Sequence, residues 1–296
     1  MKIVVADTIE KDSLEELKKF GQVVYKPQDL FFQLQDADIL IVRSATKVDL
    51  KLLENSKNLK YVIRAGVGLD NIDVAECKKR GIEVFNTPNA SSEAVAELTI
   101  GLIICLFRKI CLLHKKLVVE KKWEKENSLG LELRGKTLGI IGMGRIGQLV
   151  AKKAFCLGMN IIYFDLEDKK LPNYKFVGLD ELLSNSDVIS IHISIPKENC
   201  PFLKKEHLYK IKKGAFLLNL SRGYVIDENA LVEVLKNNHL AGAALDVFSQ
   251  EPYFGPLLEL ENVVLTPHIG ASTIQAQNKI GKEIVEIVKN IFISKK

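Results

Sequence analysis

Short runs rich in valine and isoleucine alternate with amphipathic helical stretches along nearly the whole chain, and this alternation restricts the fold most. Lys2–Ala6, Val23–Tyr25, Ile39–Val42, Tyr61–Ile63 and Glu83–Phe85 read as strands, with helical patterns such as Ser13–Phe20 and Val74–Lys79 between them. A second series follows at Thr137–Ile141, Ile161–Phe164, Val188–His192, Phe216–Asn219, Ala243–Val247 and Val263–Thr266. Its helices are expected at Ile146–Leu157, Leu179–Leu183, Glu206–Lys210 and Glu228–Asn237. Strands that are apolar on both faces belong to parallel sheets covered by helices. The 296 residues are enough for two such α/β domains, each a doubly wound parallel sheet.

Between the two series, Ser92 to about Lys121 reads as one long helix, with Ser91 or Ser92 as its N-cap. Its apolar positions run almost all the way round, which predicts burial at a domain or subunit interface. The final helix, Ser272–Ile293, is expected to pack back on the first domain. The longest apolar stretch, Leu98–Phe107, has about half the length needed to span a bilayer. No membrane partner is expected, and the five cysteines, without CxxC spacing, read as reduced residues of a cytoplasmic protein with no metal site. The net charge of +5 comes from scattered lysines and argues against a nucleic-acid partner. Only seven of the 42 basic residues are arginines, so each planar fork invites a specific use.

The strongest local motif is Gly142-Met-Gly144-Arg145-Ile146-Gly147, which directly follows a predicted strand and opens a predicted helix. In such a loop the first glycine allows a tight turn and the second lets backbone approach a pyrophosphate. The third lets the helix pack close, and the helix N-terminus supplies N–H donors. Asp165 ends the next strand, 18 residues beyond Gly147. A carboxylate there accepts from ribose hydroxyls and repels an extra phosphate, with Glu167 and Asp168 adding to the repulsion. The expected cofactor is NAD.

Three charged residues follow successive predicted strands of the second series: Arg222, Glu251 and His268. Oxidising a secondary alcohol needs a base for the hydroxyl proton and a cation for the oxygen and an adjacent carboxylate. Histidine suits the first task, with a glutamate fixing its tautomer, and an arginine fork suits the second. Each alone has an ordinary structural explanation. Together, downstream of a dinucleotide loop, they point to a catalytic set.

The chain resembles the D-2-hydroxyacid dehydrogenase family from end to end. The resemblance is carried by Arg64-Ala-Gly-Val-Gly-Leu-Asp-Asn, Asn86-Thr-Pro-Asn, the glycine loop, Asn219-Leu-Ser-Arg-Gly, Asp246-Val-Phe-Ser-Gln-Glu-Pro and Pro267-His-Ile-Gly-Ala-Ser-Thr. It implies a Rossmann NAD-binding domain, residues 91–269, inserted into a flavodoxin-like substrate (lid) domain formed by residues 1–90 and 270–296. Arg222, Glu251 and His268 are then the catalytic residues. Gly142, Gly144, Arg145, Ile146, Gly147, Asp165, His192, Asp246 and Gly270 would bind the cofactor. The backbone amides from Ala65 through Gly66 and Val67 to Gly68 would receive the substrate carboxylate, with Arg43, Ser44 and Arg64 towards its other end. The segment Val42-Arg43-Ser44-Ala-Thr46-Lys resembles members that act on a phosphorylated D-2-hydroxy acid, and such a small anion is the expected substrate.

The alternatives are a reductase of hydroxypyruvate or glyoxylate, another D-2-hydroxyacid dehydrogenase, or an NAD-sensing corepressor-like module. The resemblance also implies a homodimer, with Trp123-Glu-Lys125 matching a loop that reaches the neighbouring active site. The run His192-Ile-Ser194-Ile-Pro196 departs from the family, which usually has proline two residues after the histidine. The following Lys197-Glu-Asn-Cys-Pro-Phe lacks the usual threonine and glycine, and Val67 stands where some relatives carry threonine. Members acting on the phosphorylated acid often add C-terminal domains that bind serine. With the chain ending at Lys296, no built-in inhibition by serine is expected.

Overall fold

A computed structural model of the chain describes residues 1–126 and 128–294. Lys295 and Lys296, assigned from the sequence to the substrate domain, lie outside them. The chain divides into two compact units, Met1–Ser92 with Ala271–Lys296, and Glu93–Gly270.

The smaller unit runs β1 (Lys2–Val5), α1 (Lys11–Leu17), β2 (Gln22–Tyr25), α2 (Leu30–Leu34), β3 (Ile39–Val42), α3 (Leu50–Glu54), β4 (Tyr61–Arg64), α4 (Val74–Lys79) and β5 (Glu83–Asn86). Its parallel sheet has the order β2-β1-β3-β4-β5, the flavodoxin-like arrangement. Successive residues of each strand feed opposite cores. Ile3, Val5, Ile39 and Ile41 face one side, and Val4, Leu40 and Val42 face the other. Short helices begin where an aspartate accepts a backbone N–H three residues on, as Asp29, Asp49 and Asp73 do at α2, α3 and α4.

Next come α5 (Ser92–Phe107), α6 (Ile110–Val118), β6 (Thr137–Ile141), α7 (Arg145–Cys156), β7 (Asn160–Phe164), β8 (Lys175–Phe176), α8 (Leu179–Asn185), β9 (Val188–Ile191), α9 (Lys205–Lys210), β10 (Phe216–Asn219), α10 (Glu228–Lys236), β11 (Gly242–Leu245) and β12 (Val263–Leu265). The larger sheet is parallel in the order β12-β11-β10-β9-β6-β7-β8, a Rossmann order extended by one strand. Ile140 and Leu218 line one core, and Ile141, Ile189 and Leu217 the other. The last helix, α11 (Ile274–Ser294), returns to the smaller unit, where Ile280, Ile284, Val288 and Ile291 pack with Leu17 and the β1 side chains.

One expectation needs correction. The stretch from Ser92 is two helices, broken at Lys109, which adopts the left-handed conformation. The returning chain supplies the reason: Leu131 N–H donates to the Phe107 carbonyl at 2.8 Å, drawing that oxygen out of the helical ladder. In α5, Val95, Ala96, Ile103, Leu106 and Phe107 belong to the core under the larger sheet, whereas α6 buries no residue. The short strand β8 and helices α2 and α3 were not anticipated from hydrophobic patterning. Among the described residues no helix is long and apolar enough to cross a membrane, and no cluster of potential ligands could hold a metal ion.

Candidate active site

Open parallel sheets present ligands at the C-terminal ends of strands, where the strand order reverses and adjacent loops diverge. In the larger unit that point lies between β6 and β9, and the glycine loop leaves β6 there. Gly142 has φ +94°, and a side-chain carbon on it would fall 2.8 Å from the His192 carbonyl oxygen. On Gly147 such a carbon would come 2.1 Å from the Gly142 carbonyl oxygen, so α7 can start this close only with glycine there. Gly144 faces open space and caps α7 without a side chain, and Arg145 and Ile146 form the first positions of the helix. The outcome is a helix N-terminus whose capping glycine has nothing within 4 Å of where a side chain would start, which fits a pyrophosphate.

Asp165 follows β7 and ties the two loops together. Its carboxylate accepts from Met143 N–H at 2.8 Å and Leu166 N–H at 2.7 Å, leaving lone pairs for ribose hydroxyls. The neighbouring acids are engaged locally. Asp168 accepts from the Tyr163 hydroxyl at 2.5 Å and Lys170 N–H at 2.8 Å, and Glu167 pairs with Lys169. Of the three acids, Asp165 is the one whose carboxylate accepts from the glycine loop.

His192 lies against the glycine loop through its backbone. Its Nε2 is 2.8 Å from the Ser190 hydroxyl, and its Nδ1 is shielded from solvent with no partner among the described residues. Burial pushes this imidazole down to about 3, so it stays neutral.

The charged set is assembled by the three loops after β10, β11 and β12. Glu251 Oε2 lies 2.8 Å from His268 Nδ1, and Glu251 Oε1 accepts from Phe248 N–H at 3.2 Å. Burial pushes the Glu251 carboxyl up. The His268 hydrogen bond and charge, the Phe248 N–H and the Arg222 charge outweigh it and hold the carboxyl below the usual range. With ionised Glu251 accepting at Nδ1, the imidazole Nε2 is left for chemistry. The two side chains remain 38% and 44% exposed, so the pair is reachable by a small molecule.

Arg222 sits on a turn braced by a residue that sequence reasoning did not single out. Buried Asn219 accepts from the N–H and hydroxyl of Ser221, and its amide donates to the Arg222 carbonyl. A side-chain carbon on Gly223 would fall 1.8 Å from the Phe248 carbonyl carbon, so this turn stacks directly on the loop of Glu251. Asp246 and Gly270 lie behind His268: the Gly270 N–H donates to the Asp246 carboxylate at 2.8 Å, and Asp246 is 1% exposed.

The residues assigned to the substrate all belong to the smaller unit. Arg43 and Ser44 follow β3, and Arg64 ends β4. Asp7, after β1, accepts from Arg43 N–H at 2.5 Å, Thr46 N–H at 3.3 Å and the Thr46 hydroxyl at 2.9 Å. Asn71 donates to the carbonyls of Arg43 and Thr46 from the other side. Lys26, after β2, was not picked out by any motif. It donates to the Thr8 hydroxyl at 3.2 Å while Arg43 donates to the Thr8 carbonyl at 3.3 Å, so two cations meet on one residue.

Of the four amides expected to receive a carboxylate, those of Ala65 and Gly66 donate to the carbonyls of Val42 and Arg64. Val67 and Gly68 have no acceptor among the described residues, and Asn86 holds their loop through the Val67 carbonyl at 2.6 Å. The Arg64 guanidinium lies across Gly66 and donates to the Ala65 carbonyl at 3.3 Å.

Residues 100–270 match the family model described as D-isomer specific 2-hydroxyacid dehydrogenase, NAD binding domain. The chain is 43% identical to a hydroxypyruvate reductase of Thermotoga maritima, over 96% of both chains. It is 40% identical to a D-3-phosphoglycerate dehydrogenase of Archaeoglobus fulgidus, covering 98% of this chain but only 57% of the relative. The crystal structure of a D-lactate dehydrogenase from Aquifex aeolicus, complexed with NAD and lactic acid, superposes with a TM-score of 0.89 at 30% identity, covering 99% of this chain and 96% of that one. A dinucleotide loop at the switch point, a histidine–glutamate pair beside an arginine and relatives matching end to end lead to one conclusion: the chain belongs to the D-isomer specific 2-hydroxyacid dehydrogenase family, with residues 100–270 as its NAD-binding domain.

Proposed function

We propose that the protein oxidises 3-phospho-D-glycerate to 3-phosphohydroxypyruvate, the first step of serine synthesis, with NAD as cofactor. The observation that carries this reading is the convergence of exposed Lys26 and half-buried Arg43 on Thr8, a cationic pair suited to a phosphate. Asp7 places a negative charge nearby, but its oxygens face the loop backbone and the Thr46 hydroxyl.

In this reading His268 Nε2 takes the C2 hydroxyl proton, while Glu251 holds the ring by Nδ1 and favours the imidazolium that forms. Arg222 holds the reacting oxygen and the carboxylate. In the smaller unit the Val67 and Gly68 N–H groups are donors suited to a carboxylate. Gly142, Gly144 and Gly147, the start of α7 and Asp165 hold NAD, which when bound supplies the acceptor for the C2 hydride. The exposed apolar side chains Ile110, Leu117, Val118 and Trp123 on and after α6 support a homodimer.

A second reading, reduction of hydroxypyruvate, is favoured by the Thermotoga maritima relative, which matches this chain over nearly the full length of both. Turnover with 3-phosphoglycerate, hydroxypyruvate, glyoxylate and D-lactate, each with NAD(H) and NADP(H), decides between them. The first reading requires a kcat/KM for the phosphorylated acid at least tenfold above that for any unphosphorylated acid. Equal or better use of hydroxypyruvate, with Arg43→Ala harmless, establishes the second.

A further inference from the structure

We infer that Thr266 is a positioning residue for the reaction, holding His268 in place through the buried carboxylate of Asp246. The inference rests on His268 being the general base. His268 has φ +54°, a left-handed conformation that a non-glycine residue keeps only where its surroundings impose it. Its N–H donates to the Thr266 carbonyl at 3.0 Å, closing a tight turn over Pro267.

What imposes the turn is a single side chain. Asp246 Oδ1 accepts from the Thr266 hydroxyl at 2.6 Å and from Ile269 N–H at 2.7 Å, and Oδ2 accepts from Gly270 N–H at 2.8 Å. The carboxylate therefore grips the chain on both sides of His268. One bond lies two residues before it, and two lie on the residues just after. The backbone under this grip is the sheet itself. Thr266 N–H continues the ladder to the Leu245 carbonyl, and Asp246 N–H to the Asn219 carbonyl, both at 3.0 Å.

The donors found for Asp246 are all neutral, and it is 1% exposed. Keeping a carboxylate out of water costs free energy unless its hydrogen bonds are good ones, and a hydroxyl donating to an ionised oxygen is among the strongest. Ile269 and Gly270 would present N–H groups whatever the side chain at 266. Only Thr266 contributes a side-chain donor, so its hydroxyl anchors the entry to the turn. Without it Asp246 grips the turn on its exit side alone, and the His268 ring loses its fixed direction towards Glu251.

Thr266→Val keeps the shape and removes the donor, and Thr266→Ser restores it. The measurements are kcat and KM on the best substrate of the four-acid panel, NADH affinity by fluorescence titration, and Tm, with His268→Ala alongside. The expected result for Thr266→Val is a kcat about tenfold lower, since displacement of a reacting group by a fraction of an ångström is costly. NADH affinity should stay within about twofold and Thr266→Ser should recover most of the rate. A wild-type kcat in Thr266→Val beside an inactive His268→Ala overturns the positioning role. So does a loss matched by weaker NADH binding, or a loss with a fallen Tm that serine does not restore. Full activity in His268→Ala overturns the base assignment, and the inference with it.

Discussion

The two units solve the same local problem with the same device. In each, an aspartate just after one strand reaches sideways to the loop leaving the adjacent parallel strand. Asp7 after β1 takes two N–H groups and a threonine hydroxyl from the loop after β3. Asp246 after β11 takes two N–H groups and a threonine hydroxyl from the loop after β12. Parallel strands in register put these positions side by side, and a carboxylate, with two oxygens, accepts from more donors at once than any other short side chain.

The difference lies in burial and in what the ordered loop carries. Asp246 is sealed from solvent and grips the loop that carries His268, the proposed general base. Asp7 is half-buried, with an exposed lysine and a half-buried arginine around Thr8 at its loop. On the proposed function this difference has a reason: a proton transfer tolerates little misplacement, whereas a long cation can follow a phosphate, so the loop of His268 needs the stiffer mount.

That contrast can be broken experimentally. The largest effect is expected in the larger unit: His268→Ala should lower kcat by about 100-fold or more with NADH affinity unchanged. A variant that keeps normal turnover would remove the reacting loop from the comparison. In the smaller unit Arg43→Ala should raise KM for 3-phosphoglycerate by about 10-fold or more, the loss of a charge-assisted bond, while sparing kcat. If kcat falls instead, the first unit's loop also shapes the transition state. Asp7→Asn should act in the same direction but more weakly, raising KM about threefold, because Arg43 keeps its charge and loses only its mount. An effect on kcat as large as that of Thr266→Val would erase the distinction between the two aspartates.

The smallest effect on turnover comes with an asymmetry in stability. All five histidines lie between residues 114 and 268, within the larger unit. His192, neutral in the fold with its imidazole pushed down to about 3 by burial, takes up a proton in the unfolded chain near pH 6.5. As pH falls from 6.5 towards 3 the unfolded state binds the extra proton, and stability drops by at most about 1.4 kcal/mol per pH unit. Above pH 6.5 the contribution is flat. Urea unfolding followed against pH should show this slope, and His192→Gln should reduce it. An unchanged slope would show that the buried ring does not resist protonation.

Much of this was legible in one dimension because it depends on local rules. Strands buried on both faces read as continuous apolar runs, and the glycine loop is recognisable because close approach forbids any larger residue at Gly142 and Gly147. Arg222, Glu251 and His268 stood out because each follows an apolar run by a few residues. The break at Lys109 was not legible, since it depends on Leu131 reaching back to the Phe107 carbonyl. Nor was the pairing of Lys26 with Arg43, because the residues stand on separate strands and meet only on Thr8.

By itself the amino-acid sequence determined the alternation, hence two parallel sheets, and the chemistry available at the strand ends. Residue type and spacing along the chain are sufficient for that. Only the tertiary structure decided which donors remain free and which are already engaged. The amides of Ala65 and Gly66 turn inward while those of Val67 and Gly68 do not, and Asp246 faces the histidine turn. A hydrogen bond depends on where two distant segments are brought together, and strand order, which sets that, is not written in any local stretch of sequence.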